Sequence, residues 1–286
     1  VSINSANLVQ NGNFSELGSE LVVNGDFATG IVGWAKLADN EISTIAWNAG
    51  AMNVAVTGVG TDVGRPRIQG GMSTTVIGAI YKFQFDVVVN SGTPILQHYN
   101  VGGLTTISQS LTTGTHTFYT TATSVSTVLF LYFNGTNLFN IDIDNVSVKQ
   151  VDPNDNWTLL NGSTVNEGVA KVIAAGNIGS QASNFSLLQD SVFAANKKYK
   201  AKFKARKLGT SIGSLQVGRD YFAFFDETIT SSFVEYERIF TTTSTLFSGG
   251  LVFGGRVSGD ELEVKDISVI EIQENGVPRL DYTNGT

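Results

Sequence analysis

Tyr81-Lys82-Phe83-Gln84-Phe85-Asp86-Val87 alternates apolar and polar positions without a break, the period-two signature of a strand with one buried face. Val128-Leu129-Phe130-Leu131-Tyr132-Phe133 is a continuous apolar run, which predicts a strand buried on both faces. Clusters of Gly, Asn and Thr separate such runs at short intervals, and no stretch carries the spacing of an amphipathic helix. The pattern therefore predicts an all-β chain of sandwich or jelly-roll type.

The same pattern is written twice, with an offset of roughly 120 residues, the size of a whole domain rather than a solenoid repeat. Ile141-Asp142-Ile143-Asp144-Asn145-Val146-Ser147-Val148 returns as Leu262-Glu263-Val264-Lys265-Asp266-Ile267-Ser268-Val269, and Tyr81-Lys82-Phe83-Gln84-Phe85 as Tyr199-Lys200-Ala201-Lys202-Phe203. Before these modules, Leu8-Val9-Gln10-Asn11-Gly12-Asn13-Phe14 is echoed by Leu21-Val22-Val23-Asn24-Gly25-Asp26-Phe27, each an apolar stretch running into an Asn-Gly turn. The expected layout is an N-terminal arm over 1–19, a first jelly-roll module over 20–152, a second over 153–273 and a tail over 274–286. The arm reads as the opening of a module whose body is absent, either adding a strand to a neighbour or ending an attachment segment.

The last strand of each module carries one irregularity. Ile141 and Ile143 share a parity that Val146 and Val148 reverse, and Leu262 and Val264 give way to Ile267 and Val269 in the same manner. One extra residue that switches the inward face is what a β-bulge supplies. A strand covered on both sides is the alternative.

Composition narrows the function. Only 15% of the 286 residues are charged, 31 are glycine, none is cysteine, and the formal net charge is −7. Disulfide and thiol chemistry is excluded, and an acidic chain lacks the basic face that nucleic-acid binding requires. No run of 18 apolar residues exists, so insertion of a spanning helix into a membrane is not expected. The two histidines, His98 and His116, have no counterparts in the second module, and His116 falls on a polar strand face. A nucleophilic or acid–base site needs a positioned constellation that no motif here supplies, so the chain is not expected to be an enzyme, and no motif requires a cofactor.

Two kinds of binding residue remain. Asn24-Gly25-Asp26 and Asp144-Asn145 can meet where the first and last strands of a module pair, and Asp26 and Asp144 offer hard oxygen ligands suited to a structural calcium in the first module. Plain turn chemistry is the competing reading. For contact with a ligand, Trp47 reads as an unpaired Trp on an insertion absent from the second module, although core packing fits it equally well. Tyr99, between His98 and Asn100, is a second candidate, and Tyr221, in Arg219-Asp220-Tyr221-Phe222-Ala223-Phe224-Phe225, a third. An oligomer interface would explain the latter cluster as well.

The opening Asn24-Gly25-Asp26-Phe27, the following Gly33-Trp34 and the closing Ile141-Asp142-Ile143-Asp144-Asn145-Val146-Ser147-Val148 resemble the jelly-roll carbohydrate-binding modules, and more narrowly the tandem modules of bacteriophage virion proteins such as head and tail fibres. That resemblance implies a non-enzymatic structural protein on the surface of a phage particle. Its implied partners are other virion proteins of capsid or tail and host-surface or mucosal glycans, in an assembly expected to be a homo-oligomer. It also implies a calcium held by Asp144 and an acidic residue at position 28, where this chain has Ala28. A carbohydrate-active enzyme, such as a depolymerase or its sugar-binding accessory module, is the alternative.

Overall fold

The computed structural model describes residues 6–37, 43–58, 67–134, 136–152, 154–220, 222–244 and 249–272. Apart from one short 3-10 turn at Ala182–Asn184, the regular elements among them are strands. They fall into two compact units: one runs from Leu17 to Pro153, and the other joins Val1–Glu16 to Asn154–Thr286. We call these the inserted unit and the split unit. The tail expected over 274–286 lies outside the described residues.

The inserted unit contains β1 (Leu17–Glu20), β2 (Trp34–Lys36), β3 (Ser43–Asn48), β4 (Ala51–Val56), β5 (Arg67–Gly71), β6 (Ile80–Gly92), β7 (Ile95–Asn100), β8 (Leu104–Ser110), β9 (Gly114–Thr121), β10 (Val128–Phe133) and β11 (Phe139–Val151). One antiparallel sheet has the order β3-β4-β11-β6-β9, with β1 also paired to β11; the other has the order β2-β5-β10-β7-β8. From β4 onward the chain passes repeatedly from one sheet to the other, as in a jelly roll. Phe83, Phe85, Ile141 and Val148 from the first sheet meet Leu96, Tyr99, Leu129 and Leu131 from the second in a single apolar core.

The split unit repeats this plan with β12 (Thr158–Leu159), β13 (Thr164–Asn166), β14 (Val169–Ile173), β15 (Leu187–Gln189), β16 (Lys198–Lys207), β17 (Ser214–Arg219), β18 (Phe222–Thr228), β19 (Val234–Thr241), β20 (Leu251–Gly255) and β21 (Glu261–Glu271). Its sheets run β12-β15-β20-β17-β18 and β13-β14-β21-β16-β19. Position by position these match β2-β5-β10-β7-β8 and β3-β4-β11-β6-β9. The all-β, two-sandwich expectation therefore holds.

The shared irregularity is a bulge in both units. Pairing of β11 with β6 slips between Asp144 and Ser147, and pairing of β21 with β16 slips between Lys202 and Lys204. Asn145 and Asp266 occupy the left-handed region, with φ of 50° and 52°, a conformation Asn and Asp tolerate better than most residues. The residue after each bulge turns inward and donates its amide to the carbonyl of an Asn-Gly glycine: Val146 N to Gly25 O at 2.8 Å, and Ile267 N to Gly12 O at 2.8 Å.

That second bond gives the N-terminal segment its place. Leu8 N donates to Val269 O at 2.8 Å and Val269 N to the Asn7 side chain at 2.9 Å. Trp157 Nε1 donates to the carbonyls of Gln10 and Asn11, just as Trp34 Nε1 donates to those of Val23 and Asn24. Phe14 packs on Trp157 as Phe27 packs on Trp34. The segment expected as an arm over 1–19 is thus the opening of the split unit, with the whole inserted unit interposed before its body resumes at Asn154. Leu17–Glu20 pairs with β11 of the inserted unit.

A Cβ built on Gly12 would lie 2.0 Å from Ile267 O, against backbone that cannot swing aside. Gly12→Ala is expected to destabilise the split unit by about 2 kcal/mol or more, seen as faster hydrogen exchange at Val269 with Val148 unchanged. Equal acceleration at both amides, or at neither, would show that residues 7–14 do not complete the split unit.

Candidate functional site

The outer face of β10 departs from the expectation of a strand buried on both sides. Leu129, Leu131 and Phe133 point into the core, whereas Phe130 and Tyr132 are only partly buried and face outward. Cross-strand register then builds two rows over four strands. Gln69, Phe130, Asn100 and Leu104 form one, and Arg67, Tyr132, His98 and Thr106 form the other. The rings of Phe130 and Tyr132 lie 6.0 Å apart, the His98 ring stands edge-on to Tyr132 at 6.0 Å, and the Arg67 guanidinium sits 5.7 Å from the Tyr132 ring centre. His98 Nδ1 and Thr106 Oγ1 are 3.0 Å apart.

A bulge in β7 helps to compose this face. The register with β10 and with β8 shifts between Leu96 and His98 at Gln97, so that Leu96 and Tyr99 both point inward while His98 and Asn100 point out. The result is a pair of aromatic rings flanked by amide, imidazole, guanidinium and hydroxyl groups. Such a surface offers flat apolar area and hydrogen-bonding edges together, the combination that a polyhydroxylated ring with apolar C–H faces requires.

Tyr99 itself is not part of that face. It is 1% exposed, packs against Phe83 and Phe118, and its hydroxyl donates to Tyr119 O at 3.4 Å. Burial pushes its phenol above the ordinary pKa, partly opposed by the Thr105 and Thr120 hydroxyls. Tyr99 is a core residue, because the bulge at Gln97 resets the alternation just before it.

Trp47 is half exposed, at 50%, and its Nε1 donates to Phe27 O at 2.8 Å. It does not lie on an insertion. Trp47 pairs with Met52 across a two-residue turn at Ala49-Gly50, as the buried Val165 pairs with Ala170 across Glu167-Gly168. Both turns have positive φ at both central residues, the hairpin geometry that suits the twist of adjoining strands. Trp47 therefore replaces a core valine at the edge of the other sheet, away from the rows of Phe130 and Tyr132. Tyr221 lies outside the described residues.

The opening turn and the bulge do meet. Glu20, Asn24, Asp26, Gln84, Asn145 and Lys149 line an open polar pocket of about 430 Å³. Calcium takes six to eight oxygen ligands; of the two aspartates expected to hold one, only Asp26 lines this pocket. Asp26 Oδ1 accepts from Ala28 N at 3.4 Å, Asp144 Oδ1 accepts from Asn145 N at 2.7 Å without lining the pocket, and Lys149 is among the residues that do line it. Among the described residues no three His, Cys, Asp or Glu side chains converge.

No family model matches the chain, and no curated protein does. Solved structures similar to it include the CBM1 module of BiXyn10A in its apo form, at 18% identity, 47% of this chain, 98% of that chain and a TM-score of 0.38. The CBM22-1-CBM22-2 tandem of Xyn10C from Paenibacillus barcinonensis is 10% identical and covers 90% of this chain and 98% of its own, with a TM-score of 0.31. TmCBM61 in complex with β-1,4-galactotriose is 15% identical over 46% of this chain and 98% of its own, with a TM-score of 0.32.

Asp142, on β11, belongs to the opposite sheet from the aromatic rows. Asp142 accepts from Asn48 at 3.1 Å, from Asn53 at 2.8 Å and from Asn90 at 2.8 Å. Partial burial pushes its pKa up, but the Asn90, Asn53 and Asn48 amides outweigh that effect and hold the carboxyl below its ordinary value. A carboxylate so held is a poor proton donor. Because the folded-state pKa is the lower one, this network stabilises the fold above about pH 4 and fades as pH falls through the depressed value. Asp142→Asn is expected to flatten the acid-side fall in melting temperature while costing less than ~1 kcal/mol at neutral pH, since the site is largely solvent-screened. An unchanged acid limb would remove Asp142 from that account.

Proposed function

We propose that the inserted unit binds a glycan on the outer face of β5, β10, β7 and β8, without chemical turnover. The carrying observation is the pair of outward rings, Phe130 and Tyr132, set on one strand and bordered by Gln69, Arg67, His98, Asn100 and Thr106. The rings would stack on the apolar faces of successive sugar residues, and the bordering groups would exchange hydrogen bonds with hydroxyls. Such hydrogen bonds replace those to water and so contribute modestly to affinity; their value lies in orientation and selectivity. The rings supply most of the apolar area, held by rigid strands that lose little freedom on binding.

Residence on a phage particle, with other virion proteins as attachment partners and host-surface or mucosal glycan as ligand, is the setting we attach to this activity. It rests on the sequence resemblance alone, and so does a homo-oligomeric state. Adhesion through many weak copies would suit a shallow sheet face, since multivalent display multiplies modest affinities.

Tyr132→Ala is expected to weaken binding to the preferred polysaccharide at least about tenfold with an unchanged melting temperature, as read by affinity electrophoresis and calorimetry. Tyr99→Ala should instead destabilise the unit by about 3–5 kcal/mol, as other large-to-small aromatic substitutions in cores do. Full binding by a folded Tyr132→Ala variant, or a blank response of the wild-type chain across a broad glycan panel, would end the proposal.

A further inference from the structure

The split unit has the same sheet, and its outer face is already filled. By cross-strand register, Phe130 and Tyr132 on β10 correspond to Val252 and Gly254 on β20, while His98 and Asn100 on β7 correspond to Gln216 and Gly218 on β17. Large or hydrogen-bonding residues in the inserted unit thus become Gly, Gly and Val in the split unit. The space they vacate holds Ile178.

Ile178 is fully buried in a small apolar cluster with Phe185 and Val252, joined by Leu160 and Leu188. A Cβ built on Gly254 would stand 2.6 Å from Ile178 Cγ2, and one built on Gly218 would stand 2.9 Å from Ile178 Cδ1. A tyrosine in the place of Gly254 could not coexist with this isoleucine. The Ile178 amide donates to Gln216 Oε1 at 3.0 Å, so the residue that stands where His98 stands in the other unit is spent on holding the cover. Gln216 Nε2 in turn donates to Asp226 Oδ2 at 3.1 Å.

The covering segment is fastened along its length. Gly176 bridges to Gly255, Asn184 Nδ2 donates to Asn177 O at 2.8 Å, and Ser186 Oγ donates to Ile173 O at 2.6 Å. Asn161 Nδ2 donates to the carbonyls of Ser183 and Phe185, both at 2.8 Å. This is packing of the kind found in a core, with the buried amide satisfied, rather than a loop lying on a surface.

We propose that the split unit's counterpart of the glycan face is permanently occupied by the chain's own Ile178, so that each chain carries one such site and not two. This rests on the reading of the inserted unit as the binding unit. It makes the tandem a single-site molecule at these faces, and any avidity must come from association between chains.

Calorimetric titration of the full chain with a defined oligosaccharide of the preferred glycan should give one site per chain, and Tyr132→Ala should lose binding at least about tenfold with no residual high-affinity class. Two sites per chain, or half the sites surviving at wild-type affinity in Tyr132→Ala, would overturn the inference while leaving glycan binding intact. Hydrogen exchange of the Ile178 amide provides a measurement that needs no ligand, and it keeps the closure testable even if no glycan binds and the functional reading fails. Protection comparable to the Val252 amide is expected; exchange at the rate of an exposed loop would show the cover open and sink the proposal.

Discussion

In each unit the fold turns on one backbone contact: the carbonyl of an Asn-Gly glycine seated on the amide that follows a bulge in the last strand. Gly25 meets Val146 and Gly12 meets Ile267, and neither glycine could carry a side chain, since the added atom would lie 2.0 Å from the opposing carbonyl oxygen in both cases. The bulge turns an amide out of the ladder and offers it to the opening loop. The loop in turn presents two carbonyls to a tryptophan indole and lays a phenylalanine against its ring. Remove the contact and the first strand, the Trp and one end of the core lose their common anchor.

Because that contact is required twice, the chain must supply two opening loops. It supplies both at the start, one after the other. The split unit begins, leaves at Glu16, and resumes only after a complete second sandwich has been made. Asn156 Nδ2 donates to Glu16 Oε2 at 3.0 Å and Asn154 donates to the same carboxylate, so the exit and the return of the chain are held together at the boundary. An insertion between neighbouring chain ends is tolerated when both are paired, as Leu17 and Val151 are within the inserted unit.

Much of this was legible in the sequence. The duplicated closing strand, its parity slip and the twin Asn-Gly turns follow from period-two patterning and from the demands of a bulge. The identity of the arm was also written there: the second module opens directly on Trp157, without an Asn-Gly-x-Phe of its own, while residues 11–14 carry one with no body behind it. The aromatic rows were harder to see. An unbroken apolar run conceals which of its residues face outward, and Phe130 and Tyr132 were separated from Leu129 and Leu131 only by pairing. Tyr99 was misplaced because the bulge at Gln97 reverses parity within a strand too short and too polar to show it. Trp47 looked like an insertion because a large aromatic stands where the other copy has a valine, and because the stretch from the opening tryptophan to this hairpin is five residues longer in the inserted unit.

The two units have diverged on their outer surfaces while keeping their cores. On the face around β16, the split unit replaces amides with ion pairs: Lys200 with Glu237, Lys202 with Glu235, Lys204 with Asp266 and Arg206 with Glu263. The corresponding face of the inserted unit gathers Asn48, Asn53 and Asn90 around Asp142. Neither arrangement contributes much stability in water, since solvent-facing charges and amides trade one set of partners for another. The consequential divergence is on the other sheet. A second row of outward-facing aromatic rings, with no ligand to cover it, would be an adhesive patch. Filling it with an isoleucine from the same chain removes the patch and adds apolar burial. Avoiding unwanted adhesion and gaining stability would therefore point in the same direction in the split unit, whereas the glycan face we propose for the inserted unit would have to stay bare.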